Sequence, residues 1–217
     1  MKSRKNIALL WGFSVIPVII LSIVYTKLPA QVPTSFGFDG AVNAYGPRST
    51  LWILALLEPL IALMLQFLPR IDPKRRSYAK FQRYYEQLAI FLQLFLLVVF
   101  SLMVTETLRP GTVSIGRTVT AMVGALLIVM GNMMGKIKPN YFVGIRTPWT
   151  LADPDVWMRT HSLGGKLWFS LGVLLLPCSL LLPERVFFVL LMAGLLGSTA
   201  LLFVLSCLWY RRRESAE

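Results

Sequence analysis

One carboxylate, Glu58, falls near the middle of an apolar run, and Pro59 follows it. An acid at that depth must be protonated, paired or hydrated, because burying it ionised is costly. Glu58 is therefore a candidate for proton or ion handling, and equally for a hydrogen bond to a neighbouring helix. Pro59 removes a backbone donor and is expected to kink the helix that carries both residues. Glu86 and Glu106 lie about a turn inside the two ends of another apolar run, where their side chains are expected to reach head groups or water. The single histidine, His161, follows Trp157 at a spacing that puts both on one helical face. Arg146, a planar two-pronged donor, lies upstream of them. Those residues could serve a membrane-embedded enzyme, with Arg146 on a phosphate and His161 as acid or base, but no nucleophile is paired with that histidine. No catalytic residue is assigned, and the chain is expected not to be an enzyme. Two cysteines and one histidine leave little for a metal cluster, and Met130, Met133 and Met134 suit packing better than copper, so neither a metal nor a cofactor is expected.

These residues are carried by a chain of 217 residues that is 56% hydrophobic and only 15% charged, with a mean hydropathy of +0.65. A soluble domain averages about 45–50% apolar and about 25% charged residues, so a soluble enzyme is ruled out in favour of helices in a bilayer. Six apolar stretches are long enough to cross a hydrocarbon core of about 30 Å: Ile7 to Leu28, Thr50 to Leu68, Tyr84 to Leu108, Thr118 to Met134, Leu163 to Leu182 and Val186 to Tyr210. The first exceeds the h-region of a signal peptide and lacks a small-x-small cleavage site, so it is expected as a span.

Lys and Arg fall unequally on the alternate loops. One side holds seventeen: Lys2, Arg4 and Lys5; six between Arg70 and Arg83; five between Lys136 and Lys166; and Arg211, Arg212 and Arg213. The other holds five: Lys27, Arg48, Arg109, Arg117 and Arg185. The positive-inside rule puts both termini in the cytoplasm. The net charge of +12 is then a topology signal and an attraction to anionic lipid, with no nucleic-acid partner required. Cys178 and Cys207 fall near opposite ends of their spans and are not expected to pair. The spacings Gly131 to Gly135 and Ala193 to Gly197 suit close helix contact, within the chain or between copies in a homo-oligomer. The fold expected is an all-α integral membrane protein, a six-helix transmembrane bundle. It divides into a two-span unit over 1–69 and a four-span unit over 70–217.

Two connections are richer than a linker needs. The outer loop 29–49 interleaves Val32, Phe36, Phe38, Val42 and Tyr45 with prolines and glycines, and is expected to fold as a compact cap with a short hairpin. The inner loop between the fourth and fifth spans, within 131–165, carries Asn132, Lys138, Asn140, Arg146, Thr147, Trp149, Trp157, Arg159 and His161. Asp153 before Pro154 is an N-cap and first-turn pair, so a helix should begin there and run into the fifth span. Trp149 and Trp157 would suit an interfacial anchor, yet the density of directed polar groups favours a folded docking surface.

The run from Asn140 to Leu151, Asn-Tyr-Phe-Val-Gly-Ile-Arg-Thr-Pro-Trp-Thr-Leu, followed by Val156-Trp157 and Thr160-His161, resembles the hallmark segment of the SdpI family of bacterial immunity membrane proteins. Leu28 to Pro33, with Gly40, Tyr45, Gly46 and Arg48, is similar to the domain that commonly precedes it. Ser35 and Asn43 depart from the usual His and Asp there. The resemblance implies a multi-pass protein of the bacterial cell membrane that protects its cell from a secreted antimicrobial peptide toxin. It further implies a toxin-sensing receptor that sequesters a cytoplasmic transcriptional repressor. Phe36, Phe38, Tyr45 and Arg48 would then face the toxin. Asn132, Asn140, Arg146, Thr147, Trp149, Trp157 and His161 would form the inner functional segment. A small-solute or ion transporter working through Glu58 is the competing expectation.

Overall fold

The computed structural model describes residues 3–37 and 41–215. Its elements in chain order are α1 (Arg4–Val24), a 3-10 turn (Tyr25–Lys27), β1 (Gln31–Phe36), β2 (Val42–Pro47), α2 (Thr50–Ile71), α3 (Arg75–Leu108), α4 (Ile115–Met134), α5 (Pro148–Ala152), α6 (Pro154–Leu181) and α7 (Glu184–Glu214). Six of the helices are long and apolar enough to cross a membrane, as the six apolar runs require.

The largest departure from the expected spans is α3, which begins at Arg75 rather than Tyr84. Charged Arg75, Arg76, Lys80 and Arg83 are exposed there. Tyr78, Phe81 and Tyr85 face the other way and pack ring on ring, with centroids 5.0 to 6.5 Å apart. An amphipathic turn of this kind buries aromatic surface without being apolar enough on average to register as a span. Phe81, at φ −134° and ψ 20°, breaks the helical geometry between that turn and the apolar remainder. α2, by contrast, is continuous through Pro59. α6 begins where its capping pair predicts: Asp153 Oδ1 accepts from the N–H of Asp155 at 2.7 Å and of Val156 at 3.4 Å.

The described residues form two compact units. One comprises Met1–Gln66, Ala89–Met122 and Cys178–Phe188. Its core packs Leu21, Leu28, Val32, Leu51, Ala55, Phe100 and Val104. The expected hairpin is present as β1 against β2, antiparallel, with Val32 opposite Gly46 and a shift in register after Pro33. Val32 is fully buried and fastens the hairpin to the helices. Glu106, expected to reach water, is buried instead, and its Oε1 accepts from the N–H of Gly111 at 2.7 Å. That bond holds the turn after α3.

The second unit comprises Phe67–Leu88, Val123–Pro177 and Val189–Glu217, around Tyr78, Phe81, Tyr85, Met134, Ile137 and Trp157. Here α4 and α6 approach so closely that a Cβ on Gly131 would lie 2.4 Å from the Phe169 nitrogen, and one on Gly172 would lie 2.5 Å from the Gly124 oxygen. Small residues permit such approach. Gly131 thus performs the packing expected of it, whereas Gly135 and Gly197 have open space where a Cβ would point. Glu86, also expected to reach head groups or water, is buried and accepts from Gln82 Nε2 at 2.8 Å. Cys178 and Cys207 are both free.

Candidate functional site

The segment between α4 and α6 is built on two buried polar hubs. Asn140 is the first. Its Oδ1 accepts from the N–H groups of Phe142 (2.9 Å) and Val143 (2.7 Å), and its Nδ2 donates to the carbonyls of Lys138 and Val143, both at 2.9 Å. One fully buried amide thereby satisfies the backbone of a loop that has no regular partner of its own. Asp72, just before α3, ties this loop down: Oδ2 accepts from Tyr78 Oη (3.0 Å) and the Tyr141 N–H (2.9 Å), while Oδ1 accepts from the Lys74 N–H (2.7 Å). Lys74 Nζ in turn donates to the Leu151 carbonyl at 3.2 Å and lies over the Tyr141 ring.

His161 is the second hub. Its ring stacks on Trp157 at 4.0 Å and 15° between planes, as their spacing predicts. Nε2 accepts from the Ile145 N–H at 3.0 Å, so the proton sits on Nδ1, which donates to the Trp157 carbonyl at 2.9 Å. Trp157 Nε1 donates to the Ile137 carbonyl at 3.0 Å. Gly144 crosses the imidazole so closely that a Cβ there would lie 2.3 Å from Nε2, and its φ of +113° favours glycine as well. Beyond it, Thr147 and Thr150 form a capping box that starts α5, and Thr147 Oγ1 meets Ser206 Oγ on α7 at 3.1 Å.

Asn140, Thr147, Trp157 and His161 therefore belong to one folded segment, as expected, but each is buried. A docking surface made of these side chains is corrected to an internal scaffold, because every donor and acceptor they bring is spent on the chain itself. Trp157, fully enclosed, is no interfacial anchor. Trp149 is half-buried, edge-on to Phe203 at 5.0 Å. Arg146 is exposed and donates to the Tyr141 carbonyl at 2.5 Å. Asn132 is exposed on α4 and takes no part in the network. Asp72 and Tyr78 were not legible as site residues. The Asp-Pro pair at 72–73, which repeats the Asp153-Pro154 pattern, was the available signal.

In the other unit, Phe36 borders a groove of about 500 Å³ with Gly37, Asn43, Ile115, Val119 and Phe188. Tyr45 is 61% exposed. Arg48 turns back on the chain: Nη1 donates to the carbonyls of Tyr25 (3.4 Å) and Leu28 (3.3 Å), and the guanidinium lies 4.8 Å above the Tyr25 ring. It closes the end of the first helix instead of projecting outward. Phe38 lies outside the described residues. Glu58 is 3% exposed, and its Oε2 has no hydrogen-bond partner among the described residues. Gln93 Nε2 donates to the Glu58 main-chain carbonyl at 3.2 Å, leaving Gln93 Oε1 unpartnered as well.

Residues 136–209 match the SdpI/YfhL protein family, and residues 12–58 match a domain of unknown function, DUF1648. The first match contains both hubs but not Asp72 and Tyr78, which tie the first one down, and the second contains the hairpin and Glu58. Over 175 residues the chain is 24% identical to the immunity protein SdpI of Bacillus subtilis (strain 168), covering 81% of this chain and 82% of that protein. No solved structure matches. With six membrane-length helices behind these matches, the chain is a multi-pass cell-membrane protein in which residues 136–209 are similar to the SdpI/YfhL family.

Proposed function

We propose that this protein is a membrane immunity protein, which protects the cell that makes it from a secreted antimicrobial peptide. The observation that carries the reading is the similarity to an immunity protein across four-fifths of both chains, with two family segments in the same order as the two folded features. The asymmetry of Lys and Arg supports cytoplasmic termini, with the hairpin outside and the Asn140–His161 scaffold inside. In that orientation Phe36, Tyr45 and the apolar groove are the surface offered to the toxin. The buried inner scaffold shapes the ends of α6 and α7 and performs no catalysis. A conformational signal to a cytoplasmic repressor would be read from its exposed rim at Tyr141 and Arg146. Deleting the gene tests the proposal. The deletion strain is expected to be killed by its own culture supernatant and rescued by the intact gene. Equal survival of deleted and complemented cells would refute it.

A second reading rests on Glu58, a buried acid with an unpartnered oxygen in mid-span, which is what a proton- or ion-coupled transporter needs. Solute or proton flux into proteoliposomes that is lost in Glu58→Gln would favour it over immunity.

A further inference from the structure

We propose that the first turns of α6 and the last turns of α7 form a binding site for the phosphodiester headgroup of an anionic membrane lipid, held by Arg159 and Arg212 beside Trp209. Asp155, Val156 and Arg159 line one side of a cavity of about 310 Å³, and Trp209, Arg212 and Arg213 line the other. Spacings of three and four residues put each set on one face of its helix. The volume lies within the range of small-ligand sites, about 300–1,000 Å³.

The charges divide into a spent set and a free set. Arg213 pairs with Asp153 at 3.3 Å and with Asp155, so the carboxylates beside the cavity are already engaged. Arg159 and Arg212 are exposed and make no ion pair among the described residues. Three guanidinia against two carboxylates leave the cavity positive, and a guanidinium's parallel N–H donors match the oxygens of a phosphate.

Position favours a lipid over a free phosphate. On α7 the exposed apolar residues Phe203, Val204 and Leu208 give way to Arg211, Arg212 and Arg213 within one turn. On α6 the exposed Met158 adjoins Arg159. The cavity therefore lies where hydrocarbon ends and head groups begin, the depth at which a half-buried tryptophan such as Trp209 is at home. This site is independent of the immunity reading, since it needs only a membrane.

The test uses the full chain in vesicles of phosphatidylcholine with one-fifth phosphatidylglycerol, either lipid carrying bromine near the headgroup. Quenching of Trp209 is taken as the difference between the parent and Trp209→Phe. Stronger quenching per mole of brominated lipid is expected from phosphatidylglycerol than from phosphatidylcholine. Arg159→Gln and Arg212→Gln should each reduce that preference about tenfold, the loss of a charge-assisted contact to the phosphate. Arg211→Gln, outside the lining, should leave it unchanged, and circular dichroism checks that each variant is folded. Quenching that is equal for the two lipids per mole of brominated lipid in the parent would overturn the proposal. So would an equal loss in Arg211→Gln, which would mean diffuse attraction. Abolition of the preference by millimolar inorganic phosphate would overturn the lipid assignment in favour of a free ion.

Discussion

Replacing Gly144 by alanine tests whether His161 and the loop it holds act as one unit. Two costs follow from the geometry. The φ of +113° is one that an L-residue adopts only under strain, of order 1–3 kcal/mol. The new Cβ would lie 2.3 Å from His161 Nε2 and 3.1 Å from Cδ2, so the ring must leave the Ile145 N–H and orphan a part-buried donor, at a further ~1–3 kcal/mol. Gly144→Ala should therefore destabilise the protein by about 2–6 kcal/mol. His161→Ala alone removes the same acceptor together with the stack on Trp157, for about 2–4 kcal/mol. In the double variant the ring that the Cβ struck is gone and the Ile145 donor has already been orphaned. The combined cost should then fall short of the sum by about 1–3 kcal/mol. Denaturant unfolding in one detergent, followed by tryptophan fluorescence, measures all four corners of the cycle. A Gly144→Ala variant within ~0.5 kcal/mol of the parent, or strictly additive effects, would refute the argument.

Asp72→Ala should cost at least ~2 kcal/mol, because the Lys74 and Tyr141 N–H groups and the Tyr78 hydroxyl lose one shared acceptor. Asp72→Asn, which keeps one oxygen, should cost less, and unfolding midpoints compare the two. Gly165→Ala would place a Cβ 2.7 Å from the Gly131 carbonyl oxygen and 3.3 Å from the Met134 Cβ, so overpacking of about 1–3 kcal/mol is expected in the same assay. Glu58→Gln keeps size and hydrogen bonding, and should insert and protect as the parent does; loss of protection at normal membrane levels would move the account toward transport.

The helices that carry this protein are legible because hydropathy alone determines where a chain of membrane length must run, and Asp153-Pro154 marks the start of α6 by ordinary capping chemistry. The hairpin was legible from Val32 and its proline- and glycine-rich surroundings, since an apolar outer loop has to bury something. Less visible was the first part of α3, where Tyr78 and Phe81 are interleaved with Arg75, Arg76, Lys80 and Arg83 and the mean hydropathy hides the buried face. α5 is too short to show a period. The glycines that bring α4 and α6 together are seven apart, at 124 and 131 and at 165 and 172, so a search for a four-residue spacing finds Gly131 but assigns it the wrong partner. The inner segment was recognisable as special from its polar density. Its burial was not, because a chain of Asn, Thr and His looks alike whether it meets a partner or its own backbone. Asp72 lies sixty-nine residues from Tyr141, and only the folded chain brings the two together.

The most direct test of the account is the toxin dose that kills half the cells of a sensitive bacterial host, with and without this protein in its membrane. Insertion is verified by fractionation, and the dose is supplied as culture supernatant of the organism that carries the gene. The account predicts a clear upward shift in that dose when the protein is present, reduced in Gly144→Ala. An unchanged dose, with the protein inserted at normal levels and the supernatant lethal to the host, would contradict it.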